Sequence, residues 1–110
     1  MNWIKIISKE NLNKEDFVSK INVLGINICL VQNNGDFFAV QNNCPHAGAQ
    51  LSNGWCSNGR IVCPYHRHEF DLQTGRGALE QGNYVDTYPL EMRVDGLYIG
   101  IKKSWWRFWV

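Results

Sequence analysis

The chain has 110 residues, with 11 Lys and Arg against 10 Asp and Glu, for a formal charge of +1. Hydrophobic residues make up 45% of it, an ordinary globular composition, and the length fits one domain over 1–110. So even a charge excludes the basic footprint of a nucleic-acid binder, and no run reaches the roughly 18 apolar residues of a membrane span.

In chain order, "MNWIKIISKENLNKED" has no apolar block followed by a small-residue cleavage site, so no export signal is expected. The four cysteines are then expected in the cytoplasm. In that reducing compartment, clustered Cys and His point to metal or redox chemistry rather than disulfides. "WIKII" (3–7) predicts a short strand, 8–16 a loop with one helical turn, and "FVSKINV" (17–23) an alternating strand broken at Gly25. "INICLVQ" (26–32) and "FFAVQ" (37–41) flank "NNGD", a hairpin signal because Asn and Gly tolerate positive φ. Short strands follow at 60–63 and 69–72, then a turn at "QTGRG" (73–77). Strands at 90–94 and 97–102 flank a second hairpin signal, Asp95-Gly96. Many short strands with Gly and Asn turns predict an all-β antiparallel sandwich or barrel.

The interval 42–66 fits no strand period and reads as a functional loop. Its ends carry Cys44, His46, Cys63 and His66 in "CPH" and "CPYH". Thiolates and imidazoles together bind soft and borderline transition metals. Three readings of the set are open. It is scatter, which the tight spacing argues against. It is a structural zinc site, although zinc fingers usually pair Cys with Cys and His with His. Or it is a [2Fe–2S] cluster with two Cys on one iron and two His on the other, which suits halves that each mix Cys with His.

At these residues the sequence resembles the Rieske family of [2Fe–2S] proteins. "CPH" and "CPYH", the proline after each cysteine, and the following "HAGAQLSNG" (46–54) and "HRHEFDLQTGR" (66–76) all carry the likeness, which covers most of 20–102. The resemblance implies a sandwich or barrel with a small cluster-binding subdomain of two loops, at about 42–72. It implies that Cys44 and Cys63 hold the inner iron while His46 and His66 hold the outer, surface one. Two neutral imidazoles in place of thiolates would put the potential at roughly −150 to +300 mV, against about −400 mV for all-cysteine plant-type clusters.

Respiratory members of the family carry an extra cysteine in each loop. Those positions are Ala49 and Tyr65 here, so that disulfide cannot form, and the lower part of the potential range is expected. Arg67 stands where many relatives have glycine. Cys29 is expected as a small core residue and Cys56 as a free buried thiol. His68 is expected as a solvated surface residue, and Trp55 as core beneath the loop, with a rim position left open.

With three histidines in all, two on the cluster, the chain cannot build the two-His, one-carboxylate iron site of an oxygenase. The implied role is a soluble one-electron carrier rather than an enzyme. Its partners would be a flavin- or NAD(P)H-linked reductase and a terminal oxygenase. A small subunit of an assimilatory nitrite reductase and a zinc-stabilised binding module are the alternatives. The tail "KKSWWRFWV" (102–110) holds three of the five tryptophans. It either folds back over a sheet or offers a contact for self-association, a partner or a membrane surface.

Overall fold

A computed structural model describes residues 1–12, 15–45, 48–65, 67–77 and 83–102. The expected antiparallel β architecture is present as three sheets. Strands β1 (Asn2–Ser8), β10 (Gly96–Ile101) and β9 (Leu90–Arg93) form the first sheet in the order β1-β10-β9. The second comprises β2 (Phe17–Val23), β3 (Ile26–Asn33), β4 (Asp36–Gln41) and β8 (Thr87–Tyr88), in that order. The third is a small meander of β5 (Trp55–Ser57), β6 (Arg60–Val62) and β7 (Glu69–Asp71). The predicted helical turn is a 3-10 turn at Lys9–Asn11.

The second sheet is the middle layer, and β3 shows why. Successive side chains of a strand point to opposite faces, and β3 is buried on both. Ile28 and Leu30 join Leu97, Ile99 and Ile101 in one core, against the first sheet. Cys29 and Val31 join Ile61, Cys63 and Phe70 in another, against the third. This explains why "INICLVQ" is apolar without strict alternation, as expected of a strand covered on both sides.

Three two-residue turns set the hairpin registers. Leu24-Gly25, Asn34-Gly35 and Asn58-Gly59 all have positive φ, at 52° and 83°, 54° and 84°, and 52° and 76°. That is the type I′ geometry matching the twist of the flanking strands. Asp16 braces the second turn, its carboxylate accepting the Asn34 N–H at 2.8 Å and the Gly35 N–H at 3.3 Å. The hairpin predicted at Asp95-Gly96 sits one residue earlier. Gly96 already pairs with Arg93, so Val94 and Asp95 form the turn. Gly96 is needed as the first residue of β10, because a Cβ there would strike the Ile7 carbonyl. The interval 42–66, expected to be loop apart from the strand at 60–63, also contains a 3-10 turn at Leu51–Asn53 and the strand β5, which pairs with the expected β6 as a hairpin. At three residues each these strands are too short to carry a period, and the Asn58-Gly59 turn that joins them was the readable signal.

Cys29 is a core residue, as expected, with no solvent exposure. Burial pushes its thiol up to about 12 from an ordinary 9.0, and neighbouring Cys56 adds to the shift. Such a group is neutral when folded and ionises when unfolded. Its stabilising contribution is whole below pH 9 and is lost as pH rises from 9 towards 12, by about 1.4 kcal/mol per unit. Chemical denaturation of wild type and Cys29→Ala across pH 8–11.5 should show an alkaline slope that is shallower by that amount in the variant. Parallel curves would remove the thiol from the account.

Candidate metal centre

The third sheet and the segment before it present two loops at one end of the middle layer. Their closure is the same in both. The Cys44 N–H donates to the Ala49 carbonyl at 2.8 Å, and the Cys63 N–H donates to the His68 carbonyl at 2.7 Å. Each cysteine thus ties off its own loop to the residue five positions on. His46 falls within the first loop and His66 within the second. Both lie outside the described residues, so the structure places the two predicted cysteines and not the two predicted histidines.

Both cysteines are buried, Cys44 at 1% and Cys63 at 0% exposure. Their side chains are hydrogen-bonding neighbours, although 19 residues separate them in the chain. Burial raises the Cys63 thiol, the Tyr65 backbone N–H opposes this by donating to its sulfur, and Cys44 pushes it up again. Two adjacent buried thiols are the donor type that a soft or borderline metal binds as thiolates. The proline after each cysteine contributes no N–H and holds that cysteine extended as its loop begins.

Several residues absent from the predicted site fix the loops. Asn42 is a buried polar residue at 1% exposure. Its carbonyl accepts the Leu51 N–H at 2.6 Å. Its side-chain oxygen accepts the Ser52 N–H at 3.0 Å, and its amide donates to Gln50 Oε1 at 3.3 Å. Gln41 spans the other side. Its amide donates to the Asn43 carbonyl at 2.7 Å, and its oxygen accepts the Asp86 N–H at 2.7 Å. The polar run "QNN" between an apolar strand and Cys44 was the available signal. Behind the second loop, the Asp71 carboxylate accepts the Gln73 and Thr74 N–H groups at 2.8 and 2.9 Å, and these bonds hold it below the usual carboxylate range. Gly54 brings the two loops together, since a Cβ there would collide with the Val62 carbonyl.

The remaining expectations divide. Cys56 is half-buried rather than buried, and burial raises its thiol. His68 is half-buried rather than solvated, because its carbonyl is held against Cys63. Trp55 is 45% exposed and lies at the rim, since Leu51 and Ile61 fill the space beneath. Tyr65 is 60% exposed, and Pro45 and Arg67 are exposed as well. Arg67 adopts φ of 54°, which accounts for the glycine common at this position.

Residues 2–89 match the model of the Rieske [2Fe-2S] domain. The chain belongs to that family. Its group is a Rieske-type [2Fe–2S] cluster, and two adjacent buried thiols in matched loops suit the cysteine half of the donor set. The chain is 30% identical over 92 residues to the ferredoxin component of the naphthalene 1,2-dioxygenase/salicylate 5-hydroxylase systems of a Ralstonia species, covering 83% of this chain and 88% of that one. It is 33% identical over 79 residues to the 3-phenylpropionate/cinnamic acid dioxygenase ferredoxin subunit of Photorhabdus laumondii, covering 70% and 75%. Among solved structures, the ferredoxin of carbazole 1,9a-dioxygenase from Nocardioides aromaticivorans matches with a TM-score of 0.79 at 24% identity, over 93% of this chain and all of that one. That likeness supports the fold.

A left-handed backbone costs a side-chain-bearing residue about 1–2 kcal/mol, of which glycine's greater unfolded freedom returns about 0.5–1. Arg67→Gly should therefore raise stability by up to about 1 kcal/mol, read as a thermal midpoint a few degrees higher, while Arg67→Ala should give no gain. An equal gain from alanine would trace the effect to charge instead.

Proposed function

We propose that this chain is a one-electron carrier that holds a [2Fe–2S] cluster through Cys44, His46, Cys63 and His66, accepts electrons from a flavin- or NAD(P)H-linked reductase and passes them to a terminal oxygenase. The observation that carries this reading is the pair of neighbouring buried thiols, each in a loop closed by its own N–H. The ferredoxin components of dioxygenase systems that align along most of the chain support it. When bound, the cluster supplies reversible one-electron chemistry.

The chain's own residues do the rest. Cys44 and Cys63 keep water from the inner side of the site, backed by Leu51, Ile61 and Phe70. The Tyr65 N–H steadies the charge on the Cys63 sulfur. Gln41 and Asn42 hold the first loop at a fixed distance from the second. The exposed tip bearing Pro45, Tyr65 and Arg67 is the face a redox partner meets. The matched family region and the two cores that share one middle sheet support a single domain over 1–110, with the cluster loops at about 42–72. Among the described residues no helix is long and apolar enough to cross a membrane. Four free thiols favour a reducing cytoplasm.

Anaerobically purified protein should be coloured, contain two irons and two acid-labile sulfides per chain, and give a paramagnetic resonance signal on reduction. Cys44→Ser, Cys63→Ser, His46→Ala and His66→Ala should each lose that signal, while Cys29→Ala and Cys56→Ser retain it. A colourless protein holding one zinc per chain would instead establish the zinc-stabilised module.

A further inference from the structure

The tail 103–110 lies outside the described residues, and the described part of the molecule leaves a groove for it. Strand β1 ends one side of the first sheet and β2 ends one side of the middle sheet. Among the described residues each therefore has one edge with no strand beside it. Between them lies an open groove of about 460 Å³, lined by Ile4, Lys5 and Ile6 of β1 and by Ile21, Asn22, Val23 and Leu24 on the β2 side. Its floor is the core shared by these two sheets, into which Ile4, Ile6 and Ile21 are only half-buried. An apolar gap between two free edges is a site for an added extended segment.

We propose that this chain's own tail fills the groove, with Trp106 and Phe108 seated between β1 and β2. The sequence pattern and the reach both favour it. In an extended segment Trp106, Phe108 and Val110 share one face, an unbroken apolar row. Trp105, Arg107 and Trp109 share the other, which keeps the only charge of that stretch away from the core. The tail departs from Ile101, which is paired with Asn2, and β1 lies between β10 and the groove. Crossing β1 takes about 10 Å, two strand spacings. Ile4 is then about 7 Å along β1 from Asn2, and Ile6 about 13 Å. From Ile101, five extended residues reach about 16 Å and seven about 23 Å, which brings Trp106 to Ile4 and Phe108 to Ile6. Lys5, the one cation on the β1 side, is engaged by Asp95 at 3.0 Å, so its charge is not left facing the aromatics.

The test compares hydrogen–deuterium exchange in the cluster-loaded full chain and in a chain stopped after Lys103, at low micromolar concentration. Removing the tail should speed exchange at least tenfold in peptides over 2–7 and over 18–24, while the visible spectrum stays unchanged and both forms sediment as monomers. Phe108→Asp and Ile21→Glu in the full chain should each reproduce the effect, and they serve if the shortened chain does not fold. The idea is overturned if those two segments exchange alike with and without the tail, or if the tail protects 35–38 and 90–97 instead. It is equally overturned if their protection appears only as concentration rises, which would mark a second copy as occupant, or only with anionic phospholipid vesicles, which would mark a membrane surface.

Discussion

Two backbone hydrogen bonds are what the loop half of the fold depends on. Cys44 N–H to Ala49 O and Cys63 N–H to His68 O close two unrelated stretches of chain across the same span. Each leaves its cysteine at the neck, facing inward. Everything else in that half of the fold serves to keep the two necks together. The glycine at 54 permits the close approach, and Asn42 and Gln41 tie the first loop to strand and flank. The core of Val31, Val40, Leu51 and Phe70 shuts the rear of the pocket. The fold itself thus brings the two thiols together.

How much of this was legible depended on whether one residue or many supplied the signal. Turn chemistry is local. Asn34-Gly35 could be read directly, and the same logic applied to Asn58-Gly59 would have found β5. The donor motif was legible too, because residue type and spacing together are restrictive. The burial of Trp55 and His68 was not, since it depends on what the rest of the chain places nearby. Leu51 and Ile61 fill the space Trp55 was expected to take, and the bond from Cys63 draws His68 inward. The two-residue β8 lies below the length at which any period can be seen. It is held by the pairing of Tyr88 with Ala39 and of Thr87 with Val40, partners far off in sequence.

Among the described residues four non-glycines have positive φ, and two of them, Leu24 and Arg67, are not the asparagine that tolerates it best. Leu24 completes a type I′ turn where Asn would be easier, at φ of 52°, and is 45% exposed. Arg67 sits at the site's rim. In both cases the surrounding pairing determines the backbone, and the residue conforms to it. At Arg67 a glycine would adopt the same backbone without that cost.

The pairing of Asn2 with Ile101 has a consequence for how the protein is made. The first sheet pairs strands far apart in sequence, so during synthesis β1 must wait, unpartnered, until β10 has been made. The β5–β7 meander pairs strands close in sequence, which form fast. Folding is thereby staged: that meander can take shape early, and the apolar strand β1 is the stretch that stays exposed longest.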